Sequence, residues 1–267
     1  MKRMQVIIML GVFILGIGLG MLLVPKSQGS KKGKPRRVSF LKDADVALDG
    51  GNLEEAKALY KKAMETTKDV NKLKRIQDKT AEINMKILFS PIIDECSTKY
   101  IVKPNDALAK IARKFNTTVN FIKRANSLTS DVIKPGQELK VHTCKFSLVV
   151  DKSQNLLFLK RKGEIIRTYI VATGRDNGTP IGIFKIVSKL PNPTWYRTGA
   201  VIPPDSPANI LGSRWMGFDL KGYGIHGTTE PEALGKQITL GCVRMKNEDI
   251  EDLFDIIPMG TEVTIID

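Results

Sequence analysis

The chain has 267 residues, 42% apolar and 26% charged, a composition that excludes wholesale disorder. Three cysteines exclude a dense disulfide scaffold, and two histidines without a Cys-x-x-Cys or His-Glu-x-x-His argue against a dedicated metal site. The net charge of +14 is unevenly spread, with +9 on residues 1–42, −2 on 43–97, +7 on 98–145 and zero on 146–267, so no nucleic-acid partner is expected for the neutral C-terminal part and an anionic surface (a membrane or a wall polymer) is expected for the basic parts upstream.

The first element is a run without charge, Val6–Val24. At about 1.5 Å per residue such a run nearly crosses a hydrocarbon core of about 30 Å. It carries no polar stripe, unlike a buried soluble helix. A transmembrane anchor over residues 6–24 is therefore expected. A cleaved signal peptide is the alternative, but its apolar part is usually shorter and no Ala-x-Ala site follows Val24. Lys2 and Arg3 precede the run, whereas Lys26, Lys31, Lys32, Lys34, Arg36 and Arg37 follow it. Counting positive charge alone would keep the bulk of the chain in the cytoplasm. The later domains argue for the outside, and that orientation is preferred. Residues 25–39, basic with Gly, Ser and Pro, read as a flexible linker.

Residues 40–90 read as helical. Asn52 with Glu55 three positions on offers a capping box, and Leu53, Ala56, Leu59, Tyr60 and Ala63 recur at helical spacing. Gly50-Gly51 separates this helix from a shorter one. The stretch resembles a single tetratricopeptide unit, which cannot bury its own face alone. A spacer or a hairpin that docks a protein partner is expected, ending at Pro91.

Residues 98–142 read as strand, helix, helix, strand. Tyr100-Ile101-Val102 opens the module, Leu108–Phe115 and Val119–Asn126 are its helices, and Lys134-Pro135-Gly136-Gln137-Glu138-Leu139 closes it. With Ile111-Ala112 and Asn126-x-Leu128, these marks resemble a LysM domain over its whole length. Asn105-Asp106-Ala107-Leu108 stands where the family usually has Gly-Asp-Thr-Leu. The resemblance implies a βααβ fold and binding to the N-acetylglucosamine-containing glycan strand of peptidoglycan; a bare spacer is the alternative. Cys96 and Cys144 bracket this module. If its outer strands pair antiparallel, the two cysteines meet at one end and can form a disulfide. Such a bridge adds roughly 4 kcal/mol in the chain-entropy model and needs an oxidising compartment. Two unrelated buried thiols are the alternative.

From Phe146 the chain alternates like a β-rich domain: Phe146–Val150, Leu156–Leu159, Ile165–Val171 and Phe184–Val187, with one helix near the end, Asn247–Ile256. The third cysteine, Cys242, follows His226 by sixteen residues. A thiol needs a base or a cation nearby to act as a nucleophile at neutral pH. His142, the other histidine, lies at the edge of the upstream module, so a cysteine–histidine enzyme would have to use Cys242 and His226. A buried structural cysteine is the alternative. Gly241 would let backbone amides approach an oxyanion unobstructed.

Five ordered motifs then carry a resemblance over residues 146–267: Thr179-Pro180-Ile181-Gly182, Asn192-Pro193-Thr194-Trp195, Leu211-Gly212-Ser213-Arg214-Trp215, Gly224-Ile225-His226-Gly227-Thr228 and Thr239-Leu240-Gly241-Cys242-Val243-Arg244-Met245. Together they resemble the YkuD-type L,D-transpeptidase catalytic domain. The resemblance implies that Cys242 attacks the third residue of a peptidoglycan tetrapeptide stem, with His226 as base and the Gly227 carbonyl orienting its ring. The amides of Leu240, Gly241 and Cys242 would form the oxyanion hole. Thr239 would contact substrate, and Arg244 would anchor a substrate carboxylate or hold the loop, with a structural ion pair as the alternative. Neither metal nor organic cofactor is implied. The expectation is thus a multidomain protein: an N-terminal transmembrane helix, a helical segment, a LysM domain and a mainly-β transpeptidase domain. It would sit as a single-pass protein in the cytoplasmic membrane, with its catalytic domain outside. Transfer to water, making an L,D-carboxypeptidase, and a non-catalytic wall-binding role are the alternatives.

Overall fold

The computed structural model describes residues 39–197 and 199–267. The expected span over residues 6–24, and the linker up to residue 38, lie outside the described residues. Among the described residues no helix is long and apolar enough to cross a membrane.

Three helices open the described chain: α1 (Phe40–Asp49), α2 (Leu53–Thr66) and α3 (Val70–Leu88). Ala44, Ala56 and Ala63 let the backbones approach closely around the buried Tyr60, Ile76 and Ile83. One carboxylate ties all three helices, since Asp45 on α1 accepts from Tyr60 Oη of α2 at 2.6 Å and from Arg75 of α3 at 2.7 Å. The capping box expected at Asn52 does not form. Asn52 Nδ2 donates to the Glu55 carboxylate at 2.6 Å, and no side-chain bond caps the helix. The Glu55 carboxylate, which a capping box would return to the Asn52 backbone amide, instead takes the charge-assisted bond from the Asn52 side chain. The cap that does form is Asp69, which accepts from the amides of Asn71 and Lys72 and starts α3.

α3 leaves the bundle and enters the core of the C-terminal domain. Met85 and Leu88 pack there, and Asn84 Nδ2 donates to the Ile166 carbonyl at 3.1 Å. The module that follows is β1 (Ser97–Ile101), α4 (Leu108–Lys114), α5 (Val119–Ala125) and β2 (Glu138–His142). β1 and β2 pair antiparallel from Ser97↔His142 to Ile101↔Glu138. Cys96 and Cys144 flank the first of those pairs and are joined by a disulfide, with Cα atoms 5.1 Å apart. Buried Lys140 of β2 donates to the carbonyls of Ile87, at 2.5 Å, and Ser90, at 2.9 Å, which closes the C-terminus of α3.

The remaining elements are β3 (Phe146–Asp151), β4 (Leu156–Arg161), β5 (Glu164–Ile170), β6 (Thr173–Gly174), β7 (Gly182–Pro191), β8 (Trp195–Arg197), β9 (Ala200–Ile202), β10 (Arg214–Phe218), β11 (Gly224–His226), β12 (Gln237–Thr239), β13 (Val243–Arg244), α6 (Asn247–Ile256) and β14 (Glu262–Ile266). Eight strands form one sheet in the order β13-β11-β10-β7-β14-β3-β4-β5. Alternation of apolar residues makes one face a core: Leu148, Val150, Leu157, Leu159, Ile225 and Val263 are fully buried against Ile250, Leu253 and Ile256 of α6. β6 pairs with β12, and β8 with β9, as separate ribbons.

α6 is also the seat of the βααβ module. Arg124 of α5 pairs with Asp252 at 2.8 Å and Asp255 at 3.0 Å, Asn120 donates to Asp255 at 2.8 Å, and the Thr118 hydroxyl donates to the Asp255 carbonyl. Its C-terminus is closed as that of α3 is, by a lysine, here a partly buried one. Lys189 Nζ donates to the carbonyls of Phe254, at 2.5 Å, and Ile257, at 2.6 Å.

Candidate active site

The site is built on two neighbouring strands. β11 and β13 run parallel, with Ile225 opposite Val243 and His226 opposite Arg244. Side chains alternate along a strand. Ile225 and Val243 are fully buried in the core, so His226 and Arg244 take the other face. Cys242 directly precedes β13 and falls in phase with Arg244. Its Sγ lies 3.5 Å from the Gly222 carbonyl, to which the thiol donates. The Gly224 amide also acts on the sulfur. The thiol therefore rests against the start of β11, two residues before His226.

His226 is 2% exposed. Its Nδ1 bonds the Gly227 carbonyl at 2.7 Å. A carbonyl only accepts, so Nδ1 carries the proton and Nε2 is left as the base. Trp215, its partner across β10 and β11, stacks on the ring with centroids 5.8 Å apart. Burial holds the imidazole down to about 4; the Gly227 and Leu211 carbonyls pull upward and the Arg244 charge pushes down. Burial pushes the Cys242 thiol up, against the Gly224 amide and Arg244. These directions favour the neutral form of both the Cys242 thiol and the His226 imidazole at neutral pH.

The loop before Cys242 has its own fastening. Thr239 Oγ1 accepts from the Gly241 amide at 3.1 Å and donates to the Cys242 carbonyl at 2.7 Å. Thr239 is 2% exposed, so it holds the loop where contact with substrate was expected. The Gly241 amide is likewise bonded already, which sets it apart from the expected oxyanion donors. Gly241 has φ +134°, and a Cβ there would lie 2.6 Å from Tyr223 Cε1 and 2.9 Å from the Gly178 carbonyl oxygen. Leu240 is 77% exposed on the rim. Arg244, for which both substrate binding and a structural ion pair were open, is 9% exposed and pairs with Glu230 at 3.0 Å. Its guanidinium acts on the site as a fixed positive charge beside Cys242 and His226.

Two contributors were not foreseen, Gly222 as the resting acceptor of the thiol and Asn247, while Trp215 on the imidazole was weighed only as a residue lining the cleft or the core. The Asn247 side chain joins two loops, with Oδ1 accepting from Ser213 N at 3.1 Å and Thr228 N at 3.2 Å, and Nδ2 donating to the Thr228 carbonyl at 3.0 Å. Only its place at the start of a helix was legible. Its contacts join residues 34 and 19 positions apart, beyond any local pattern.

Residues 145–265 match the family model of the YkuD L,D-transpeptidase catalytic domain, and residues 100–142 match that of the LysM domain. YqjB of Bacillus subtilis, whose name places it among the L,D-transpeptidases, is 42% identical over 126 residues, covering 45% of this chain and 70% of that protein. YkuD of Bacillus licheniformis, similarly named, is 32% identical over 174 residues, covering 62% of this chain and 97% of its own. YkuD of Bacillus subtilis is 30% identical over 173 residues, with the same coverage of 62% and 97%.

Proposed function

The chain belongs to the YkuD L,D-transpeptidase family and carries a LysM domain ahead of the catalytic domain; from that premise we propose that it cross-links peptidoglycan through a thioester on Cys242. The observation that carries the proposal is the parallel ladder of β11 and β13, which sets His226 opposite Arg244 and two residues along from Cys242 on a shared face.

Cys242 Sγ leaves its bond to the Gly222 carbonyl and attacks the carbonyl carbon of the third, L-centred stem residue. His226 Nε2 takes the thiol proton as the S–C bond forms. The tetrahedral oxyanion meets the amides of Leu240 and Cys242, since that of Gly241 is bonded to Thr239. The C–N bond to the terminal D-alanine then breaks, and His226 returns the proton to the departing amine. An acceptor stem amine attacks the thioester, restoring the thiol and leaving an amide cross-link. The imidazolium is transient. The Gly227 carbonyl at Nδ1 supports it, while Arg244 opposes it and so favours rapid return of the proton.

The LysM domain would hold the glycan strand while the catalytic domain handles the peptide. Residues 6–24 would anchor the chain in the cytoplasmic membrane with both domains outside. The Cys96–Cys144 disulfide supports that side of the membrane, because such bridges persist in oxidising compartments. The experiment is incubation with tetrapeptide-stem muropeptides followed by mass spectrometry. Cross-linked dimers with release of D-alanine are expected. Tripeptides alone would assign the acceptor as water, and unchanged tetrapeptides would end the catalytic reading.

A further inference from the structure

His226 is oriented by one peptide unit, and that peptide is itself held by one side chain. The carbonyl of the Gly227–Thr228 peptide accepts from His226 Nδ1 at 2.7 Å. The N–H of the same peptide, belonging to Thr228, donates to Asn247 Oδ1 at 3.2 Å. The next carbonyl, that of Thr228, accepts from Asn247 Nδ2 at 3.0 Å. Oδ1 also accepts from Ser213 N at 3.1 Å, which fastens the neighbouring loop to the same carboxamide. Oxygen facing two N–H groups and nitrogen facing a carbonyl is the only assignment of this amide that satisfies every partner.

The backbone is cleared to admit it. A Cβ on Gly227 would lie 2.1 Å from Asn247 Oδ1, and one on Gly212 would lie 2.3 Å from it. Gly212 also needs its φ of +64°. Two glycines, on loops that precede Asn247 by 35 and 20 residues, thus empty the same space for one side chain.

We propose that Asn247 is the positioning residue of the catalytic histidine, acting through the Gly227–Thr228 peptide in the chain Asn247 Oδ1, Thr228 N–H, Gly227 C=O, His226 Nδ1–H. Hydrogen bonds aligned through one peptide polarise each other, so the Asn247 bond makes the Gly227 carbonyl a better acceptor. It also fixes the angle of that carbonyl, and through it the tautomer and the direction of Nε2. Cys, His and the Gly carbonyl are then three members of a four-part relay, with α6 as the rigid element that supplies the fourth. The inference rests on the reading of Cys242 and His226 as nucleophile and base.

The test is acylation of Cys242 by a carbapenem in the full chain, followed by intact mass over time, concentration and pH. Asn247→Ala is expected to slow the saturating acylation rate about 10- to 100-fold, the range seen when the outer hydrogen-bond partner of a metal-bound histidine is removed, with half-saturation moved less than about threefold. Asn247→Asp keeps both acceptor bonds and loses the donor. It is expected to recover a substantial part of the rate and to move the acid limb of the profile upward, because a negative charge is added two hydrogen bonds from the imidazole. The charged protein group acting on His226 in the wild type is Arg244, which is unchanged in both variants. His226→Ala run alongside separates the two ideas. If His226→Ala acylates like the wild type, the enzyme reading fails and takes this inference with it. If His226 is required but Asn247→Ala keeps the wild-type rate, the inference alone is overturned. Should Asn247→Ala not fold, an Asn247→Asp profile superimposable on the wild type overturns it instead.

Discussion

His226 lies directly opposite Arg244 across the ladder of β11 and β13, so a base that must gain a proton faces a fixed cation. Arg244 lowers both the imidazole and the Cys242 thiol, while burial drives them apart. For the proposed mechanism, these directions favour proton transfer at the moment of attack over a standing thiolate–imidazolium pair.

The pH dependence follows from this arrangement. His226 sits at about 4 and works as a base only when neutral. Cross-linking by the free enzyme should hold down to about pH 5 and fail as the pH drops through about 4. Alkylation of Cys242 by iodoacetamide should keep rising beyond pH 8, since burial raises the thiol. An acid limb centred near 6.5, or an alkylation plateau below pH 7, would contradict the neutral pair.

Acid should also unfold the protein by the same route. His226 and buried His142 both sit at about 4, below the ordinary 6.5, so between those values the unfolded chain binds protons that the native chain refuses. Their contribution is intact above pH 6.5 and lost as the pH falls through 4. It is worth up to roughly 3 kcal/mol per histidine. Urea midpoints measured from pH 7 to pH 4 should fall steadily, and His142→Phe should flatten part of the slope.

Gly241→Ala should separate folding from chemistry. Its φ of +134° and the 2.6 Å approach to Tyr223 force the Cys242 loop to move, while the sheet beneath is untouched. Loss of acylation by about 100-fold or more is expected, on the scale of removing an oxyanion donor, with a nearly unchanged melting temperature.

Lys189→Met leaves two partly buried carbonyls at the end of α6, those of Phe254 and Ile257, without their donor. The loss should be on the order of 1–3 kcal/mol. Thermal or urea denaturation measures it. A loss below about 0.5 kcal/mol would mean that water replaces the lysine.

Much of this was legible in the sequence. The helix Asn247–Ile256 appears with the bounds expected, because its acidic first turn and apolar spacing are local signals. The βααβ order from Tyr100 to Val141 was legible for the same reason. The cap of α2 misread because Asn52 and Glu55 satisfy the spacing rule but bond each other. Whether Thr239 touches substrate or holds its loop, and which of its two readings Arg244 follows, was not legible, because burial decides it and burial depends on strands far away in sequence. The docking of α3 onto β5, and the lysines that close α3 and α6, join residues 50 or more positions apart and leave no periodic trace.

The most direct test of the central claim is a carbapenem adduct mapped by proteolysis and mass spectrometry. The account predicts one adduct per chain, on the peptide containing Cys242, absent in Cys242→Ala and strongly slowed in His226→Ala. An adduct on any other residue, or cross-linking that survives Cys242→Ala, would contradict it.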